Sequence, residues 1–250
     1  MRLLAAIVFL VSSAVARAMV GGAPLAEPAI ARHVVLIVGS RGTACTGTAV
    51  AQTIVLTAAH CVLPGADYKW VSFDAAGAPT LHDTVDVEHH PQFDLKAFLR
   101  SRATADVALL KLAEPLPASY APAPLSARTA QVMPGEPFVV AGTGVTVRGD
   151  GKSGGKVRAA RLVATGHPGP LQLRLVDPST GNDKPGLGAC TGDSGAPAFD
   201  LSEGAPALYG VVSWSTAARN EGGCGGLTGI TPLARYRGWI DATMRRMGAE

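Results

Sequence analysis

The apolar stretches of this chain are short, β-branched, and cut off every few residues by Gly, Pro, Ser or Gln. Runs of this form lie at His33 to Val38, Ala44 to Val50 and Thr53 to Thr57. Branched side chains pack well on a pleated surface and the bounding residues favour turns, so each run reads as a strand. Further strand-like runs fall within Tyr68 to His90 and at Ala105 to Leu112, Phe138 to Gly144, Val157 to Ala164, Pro170 to Val176 and Ala207 to Trp214. Thirty glycines and eighteen prolines are spread through the 250 residues, so turns are available everywhere and the expected fold class is all-β. With 47% hydrophobic residues the chain can bury a sizeable core, as one large domain or two small ones. Residues 113–137 are rich in Pro and Ala, lack any period, and are expected to cross between two halves. Pro91 to Thr104 reads as a polar loop. Only at Pro232 to Met247 does the period change. There Leu233, Tyr236, Trp239, Ile240 and Met244 recur at helical spacing, predicting a terminal helix packed on the second half, with Arg245 and Arg246 favourably near its C-terminal end.

Met1-Arg2 precedes an apolar run, Leu3 to Val11, and small residues ending in Ala16-Arg17-Ala18, the pattern of a secretory signal cut after Ala18. The run is shorter than the roughly 20 residues needed to span a bilayer. The expected product starts at Met19, carries no membrane segment, and is secreted or periplasmic. Formal charge is +3, and loss of Arg2 and Arg17 leaves +1. That balance gives no electrostatic case for nucleic acid or an anionic membrane. Four cysteines in an exported chain predict two disulfides with three pairings open, and no Cys-x-x-Cys pair supports zinc.

Three segments carry chemistry. Gly192-Asp193-Ser194-Gly195-Ala196-Pro197 presents a serine between glycines, whose freedom at positive φ lets neighbouring N–H groups converge on a developing oxyanion. A serine hydroxyl also needs a base. Leu56-Thr57-Ala58-Ala59-His60-Cys61 puts a histidine at a strand end beside a cysteine, and Ala105-Asp106-Val107 puts a carboxylate at the mouth of an apolar strand. Such an Asp is costly to bury unless it accepts hydrogen bonds, and an imidazole N–H is the expected donor. Other clusters are weaker. His82, His89 and His90 among Asp83, Asp86 and Glu88 fit no metal spacing, so no metal is expected. Arg148-Gly149-Asp150 and Gly151-Lys152-Ser153 read as a solvated turn, because Thr146 stands where a phosphate loop needs its first glycine.

Taken in order, the segments around His60, Asp106 and Ser194 resemble the trypsin/chymotrypsin family of serine endopeptidases. Val211-Val212-Ser213-Trp214 and Tyr236-Arg237-Gly238-Trp239-Ile240 match its later landmarks, so the likeness runs from Met19 almost to the end. The order His, Asp, Ser excludes the α/β-hydrolase arrangement, in which serine comes first. The resemblance implies two antiparallel six-stranded barrels, about 19–125 and 126–250, with the site between them and a terminal helix. It implies that Ser194 is the nucleophile, His60 the base and Asp106 its orienting carboxylate, with Gly192 and Ser194 N–H groups as the oxyanion hole. It also implies Cys45–Cys61 and Cys190–Cys224 pairing. Disulfides common elsewhere in the family have no cysteines here, leaving the Asp177 to Gly188 loop less constrained.

Met19-Val20-Gly21-Gly22 stands where the family has its activating terminus, so signal cleavage itself is expected to free a Met19 ammonium that pairs with Asp193. Cleavage after Arg17 would leave Ala18 in the way, one residue out of register. The family's pocket positions fall on Gly188, Ala189, Ser213, Trp214, Ser215 and either Thr228 or Gly229. Gly188 replaces the aspartate of trypsins, so cleavage after small to medium apolar residues is expected, on protein or peptide substrates, without cofactor, by a monomer open to protein inhibitors. The competing expectation is a non-catalytic binding or adhesion module using Arg148-Gly149-Asp150.

Overall fold

Antiparallel pairing of successive short strands closes the sheet on itself twice. The computed structural model describes residues 19–165, 169–202 and 204–249; the signal read over 1–18 lies outside them. The first barrel consists of β1 (Val34–Gly39), β2 (Ala44–Ala51), β3 (Ile54–Thr57), β4 (Tyr68–Phe73), β5 (Pro79–His89) and β6 (Ala108–Leu112), joined in the order β1-β2-β3-β6-β5-β4. The second consists of β7 (Pro137–Gly142), β8 (Arg158–Ala164), β9 (Leu173–Val176), β10 (Pro197–Asp200), β11 (Ala207–Ser215) and β12 (Thr228–Pro232), in the order β10-β11-β12-β9-β8-β7. Closure pairs every strand with two neighbours and so leaves no open sheet edge. Among the described residues three α-helices complete the fold: α1 (Pro28–Ala31), α2 (Leu95–Leu99) and α3 (Arg237–Arg246).

Side chains pointing into each barrel fill it. Val35, Ile37, Val55, Trp70 and Leu110 pack in the first, and Phe138, Leu162, Leu173, Leu175 and Ile230 in the second. A third apolar cluster joins the two barrels, bringing Leu56, Val107 and Leu109 against Phe199, Leu208 and Val211.

The terminal helix forms, and it packs across the seam between the barrels rather than on the second half alone. Tyr236, Ile240 and Met247 join that shared cluster with Ile54, Leu56 and Leu109 of the first barrel, and Arg246 Nη2 lies 2.5 Å from Glu88 Oε2 of β5. Helical period identifies an apolar stripe without saying which surface it meets. The second barrel's interior is already filled by its own strands, so α3 covers the seam instead.

The first described residues also cross over. Although counted with the first half by sequence, Val20 bridges Gly188 and Leu25 bridges Arg158, and Ala26 N donates to Val157 O at 3.1 Å. Met19 and Ala23 are buried in the second barrel's core. Full burial of a methionine side chain stabilises by about 1.5–3 kcal/mol, enough to dock this strand-like arm.

Candidate active site

β3 ends at Thr57 and turns into a single helical turn, Ala59–Cys61, that carries His60 toward the inter-barrel cleft. The Cys45–Cys61 disulfide ties this turn to β2. Closing a loop of its span, 16 residues, stabilises by about 3 kcal/mol through the unfolded chain's lost entropy. Asp106, just before β6, is buried and accepts from three donors: His60 N at 2.9 Å, His60 Nδ1 at 2.8 Å and Ser213 Oγ at 2.5 Å. Two of these come from one residue, so backbone and ring of His60 are fixed together. With Nδ1–H given to the carboxylate, the neutral ring keeps Nε2 as an acceptor. Phe98 of α2 stacks on the imidazole, ring centroids 4.3 Å apart and planes 16° off parallel.

Ser194 is half-buried in the turn before β10. Its carbonyl accepts from Thr46 N at 2.8 Å, and Thr46 follows Cys45, whose disulfide partner follows His60. The turn that carries Ser194 is therefore linked to the turn that carries His60 through one hydrogen bond, Thr46-Cys45 and the disulfide. No hydrogen bond joins Ser194 Oγ to His60 Nε2 among the described residues, and the recorded partner of Nε2 is Cys61 Sγ at 3.9 Å. Such bonds commonly tighten only when substrate is bound. Gly192 (φ +93°) and Gly195 (φ +80°) bend the turn through the left-handed region, and a Cβ on Gly195 would stand 2.2 Å from Thr46 O. Thr46 is a further site residue that the sequence reading did not single out. Its Oγ1 donates to Gly192 O at 2.8 Å and accepts from Thr143 N at 3.1 Å, fixing the peptide plane between the Gly192 and Ser194 N–H groups.

Asp193 is fully buried, with Oδ1 accepting from Gly144 N and Oδ2 from Cys190 N, each at 2.9 Å. Burial pushes its carboxyl up to about 7 despite these bonds, which act the other way. No cation stands beside it among the described residues. Met19 is buried in the same cluster as Ala189 and Ala196, which flank the Asp193 turn, but in the continuous chain its nitrogen is a peptide N–H.

At the positions expected to form a pocket beside Ser194, a side chain lies against Gly188. Thr228 is fully buried, its Oγ1 accepts from Ala189 N at 3.0 Å, and it would meet a Cβ on Gly188 at 3.4 Å. Gly229 lies instead under the Trp214 ring, where no side chain fits. Of the two, Thr228 is the residue whose side chain faces Gly188 and Ala189. Ser215 pairs with Thr228 across β11 and β12, and Cys190–Cys224 ties the wall. The loop leading here is held without a disulfide. Asp177 is buried, accepts from Leu187 N and Ser179 Oγ, and these bonds outweigh burial to hold its carboxyl below the usual range. The Asp177 to Gly188 loop, which the resemblance implied to be less constrained for lack of a disulfide, is thus tied by a carboxylate.

A family model described as Trypsin matches residues 19–240. The chain belongs to the trypsin family. Among curated proteins it is 31% identical over 241 residues to serine protease SP24D of Anopheles gambiae, covering 91% of this chain and 82% of that one. It is 28% identical over 227 residues to coagulation factor IX of Cavia porcellus, covering 82% and 74%. Among solved structures it resembles human heparin binding protein, with TM-score 0.72 and 23% identity over 92% of this chain and 99% of that one, a likeness of fold.

Beside this trypsin-family site lies a cavity of about 630 Å³. Phe98 and Trp214 form its apolar walls, Ser215 and Leu227 border it, and Arg102 and Arg174 reach into it. Phe98 and Arg102 come from the segment read as a polar loop. Asp94, whose carboxylate accepts from Lys96 N and Ala97 N, caps a short helix there, and that N-cap ahead of Leu95-Lys96-Ala97-Phe98-Leu99 was the available signal.

The only tight His/Cys/acid cluster among the described residues is Cys45, His60 and Cys61, whose sulfurs are joined in a disulfide and offer no thiolate. His82, His89 and His90 do not gather. His82 stacks on Trp70 and meets Ser72 Oγ, His89 Nε2 donates to Val62 O, and His90 packs on Tyr236 and Trp239, where burial lowers its pKa. In the Arg148 to Ser153 loop, Arg148 Nη1 donates to Gly222 O at 2.8 Å and Asp150 caps a turn by accepting from Lys152 N.

Proposed function

We propose that this trypsin-family protein is a secreted serine endopeptidase. The observation that carries the reading is the buried Asp106 carboxylate, held by three donors with His60 on one side and Ser213 on the other. A buried carboxylate on Nδ1 orients the ring with Nε2 as the acceptor and stabilises the imidazolium formed when it takes a proton. His60 removes the Ser194 proton as Ser194 Oγ bonds to the peptide carbonyl carbon, and Gly192 and Ser194 N–H groups receive the oxyanion. His60 then gives that proton to the leaving amine, and water repeats the cycle on the acyl ester. A fluorophosphonate probe tests this: labelling of the wild type and none of Ser194→Ala is expected. A folded protein that takes no label overturns it.

The residue whose carbonyl is attacked places its side chain over Gly188 and Ala189. With Thr228 closing the base, Ser215 bordering the opening and no aspartate below, small to medium apolar side chains fit best. Thr228→Gly should deepen the pocket and shift preference toward Leu and Phe by roughly tenfold, since each added methylene well buried contributes about 0.8 kcal/mol. A peptide library with an unchanged profile, or wild-type preference for Lys or Arg, would contradict the assignment. The adhesion reading needs a free Arg-Gly-Asp loop, and the tie of Arg148 to Gly222 O disfavours it.

A further inference from the structure

We infer that the cavity between Phe98 and Trp214 is a subsite for an acidic side chain of the substrate, two to four residues before the scissile bond. This rests on the endopeptidase reading above. Neither Arg102 nor Arg174 has a carboxylate partner among the described residues, and no Asp or Glu lines the cavity they enter. The other polar linings are neutral groups such as Gln172 and Asn220. Two unpaired guanidiniums in one concave site repel each other and attract a carboxylate, which a planar fork of N–H donors can bind through both oxygens. Arg174 is steadied by the Trp214 ring, its guanidinium carbon 5.9 Å from the centroid, so part of the cost of ordering it is already met.

Position follows from shared walls. Leu227 borders the cavity and Thr228, next in sequence, closes the base of the pocket, while Ser215 serves both. The cavity is therefore the continuation of the pocket that takes the acyl residue. Its near end is Phe98, stacked on His60. A peptide leaving that pocket in extended form advances about 3.3 Å per residue, so its next few side chains pass this opening. Both guanidiniums are exposed, so the pairing is water-screened and should depend on salt.

The test uses internally quenched peptides with Val at the cleaved position and Glu, Gln or Lys at each of the three preceding positions. At one of them kcat/KM for Glu should exceed that for Gln by about tenfold at low salt, with Lys worst, and the ratio should shrink near 1 M salt as screening shortens. In Arg102→Gln/Arg174→Gln the Glu/Gln ratio should fall toward one. The same peptides are bound to Ser194→Ala and followed by fluorescence anisotropy, which reads the cavity without turnover. Equal Glu and Gln values in both assays, or a ratio untouched by the double substitution, overturns the acidic subsite. Glu-selective binding by a protein that neither cleaves nor takes the fluorophosphonate supports the cavity assignment and overturns the endopeptidase.

Discussion

Replacing Ser194 with Ala should lower kcat on an apolar peptide by on the order of 10⁵-fold or more, and His60→Ala by a similar factor, while thermal midpoints stay within a few degrees. The two losses should not add, because base and nucleophile act in one proton transfer and either is useless without the other. Ser194 is the cleaner probe. It is half-buried and its side chain makes no hydrogen bond among the described residues, so truncation removes chemistry with little packing. Asp106 is the opposite case. Its carboxylate collects His60 N, His60 Nδ1 and Ser213 Oγ, and Asp106→Ala would strand three buried or part-buried donors as well as free the ring. A measured loss below tenfold for Ser194→Ala would remove the nucleophile assignment.

The second large effect concerns the chain start. We propose that export frees Met19 and that its ammonium pairs with Asp193. A chain keeping Ala18, or acetylated at Met19, should lose about 10²–10³ in kcat, the scale of an oxyanion hole missing a donor. Stability gives an independent readout. In the continuous chain the Asp193 carboxyl titrates near 7, against 3.8 when unfolded. The fold thus binds a proton more readily than the unfolded chain, and that stability is full below about pH 4 and lost as pH rises through about 7. The span corresponds to about 4 kcal/mol at most. The blocked chain should therefore show a falling thermal midpoint from pH 4 to 7, and the free chain should not, because a cation now offsets the buried charge. Identical pH profiles, or an active secreted chain beginning elsewhere than Met19, would exclude the pairing.

The barrels were legible because most strands announce themselves as β-branched runs between turn formers. Strands β10 and β12 are interrupted instead. Pro197-Ala198-Phe199-Asp200 and Thr228-Gly229-Ile230-Thr231-Pro232 carry prolines and a glycine, and are drawn into the sheet by neighbours already in register. His60, Asp106 and Ser194 could be picked out because their chemistry needs particular residue types in particular local frames. Thr46, Phe98 and Arg102 could not, since a threonine in a strand or an arginine in a loop looks the same whether or not it faces a cleft. The face chosen by α3 was hidden for the same reason, as period records a stripe and not its partner.

The placement of Thr46 has a mechanical consequence. It belongs to β2, yet four hydrogen bonds through its N–H and hydroxyl reach Ser194 O, Gly192 O, Thr143 Oγ1 and Thr143 N of the other barrel. These cross-ties stretch together when the halves part, and bonds of this kind weaken steeply beyond about 3.2 Å. Parting of the seam at this point should therefore be cooperative, the nucleophile turn and its neighbour Thr143 losing their four ties to Thr46 together.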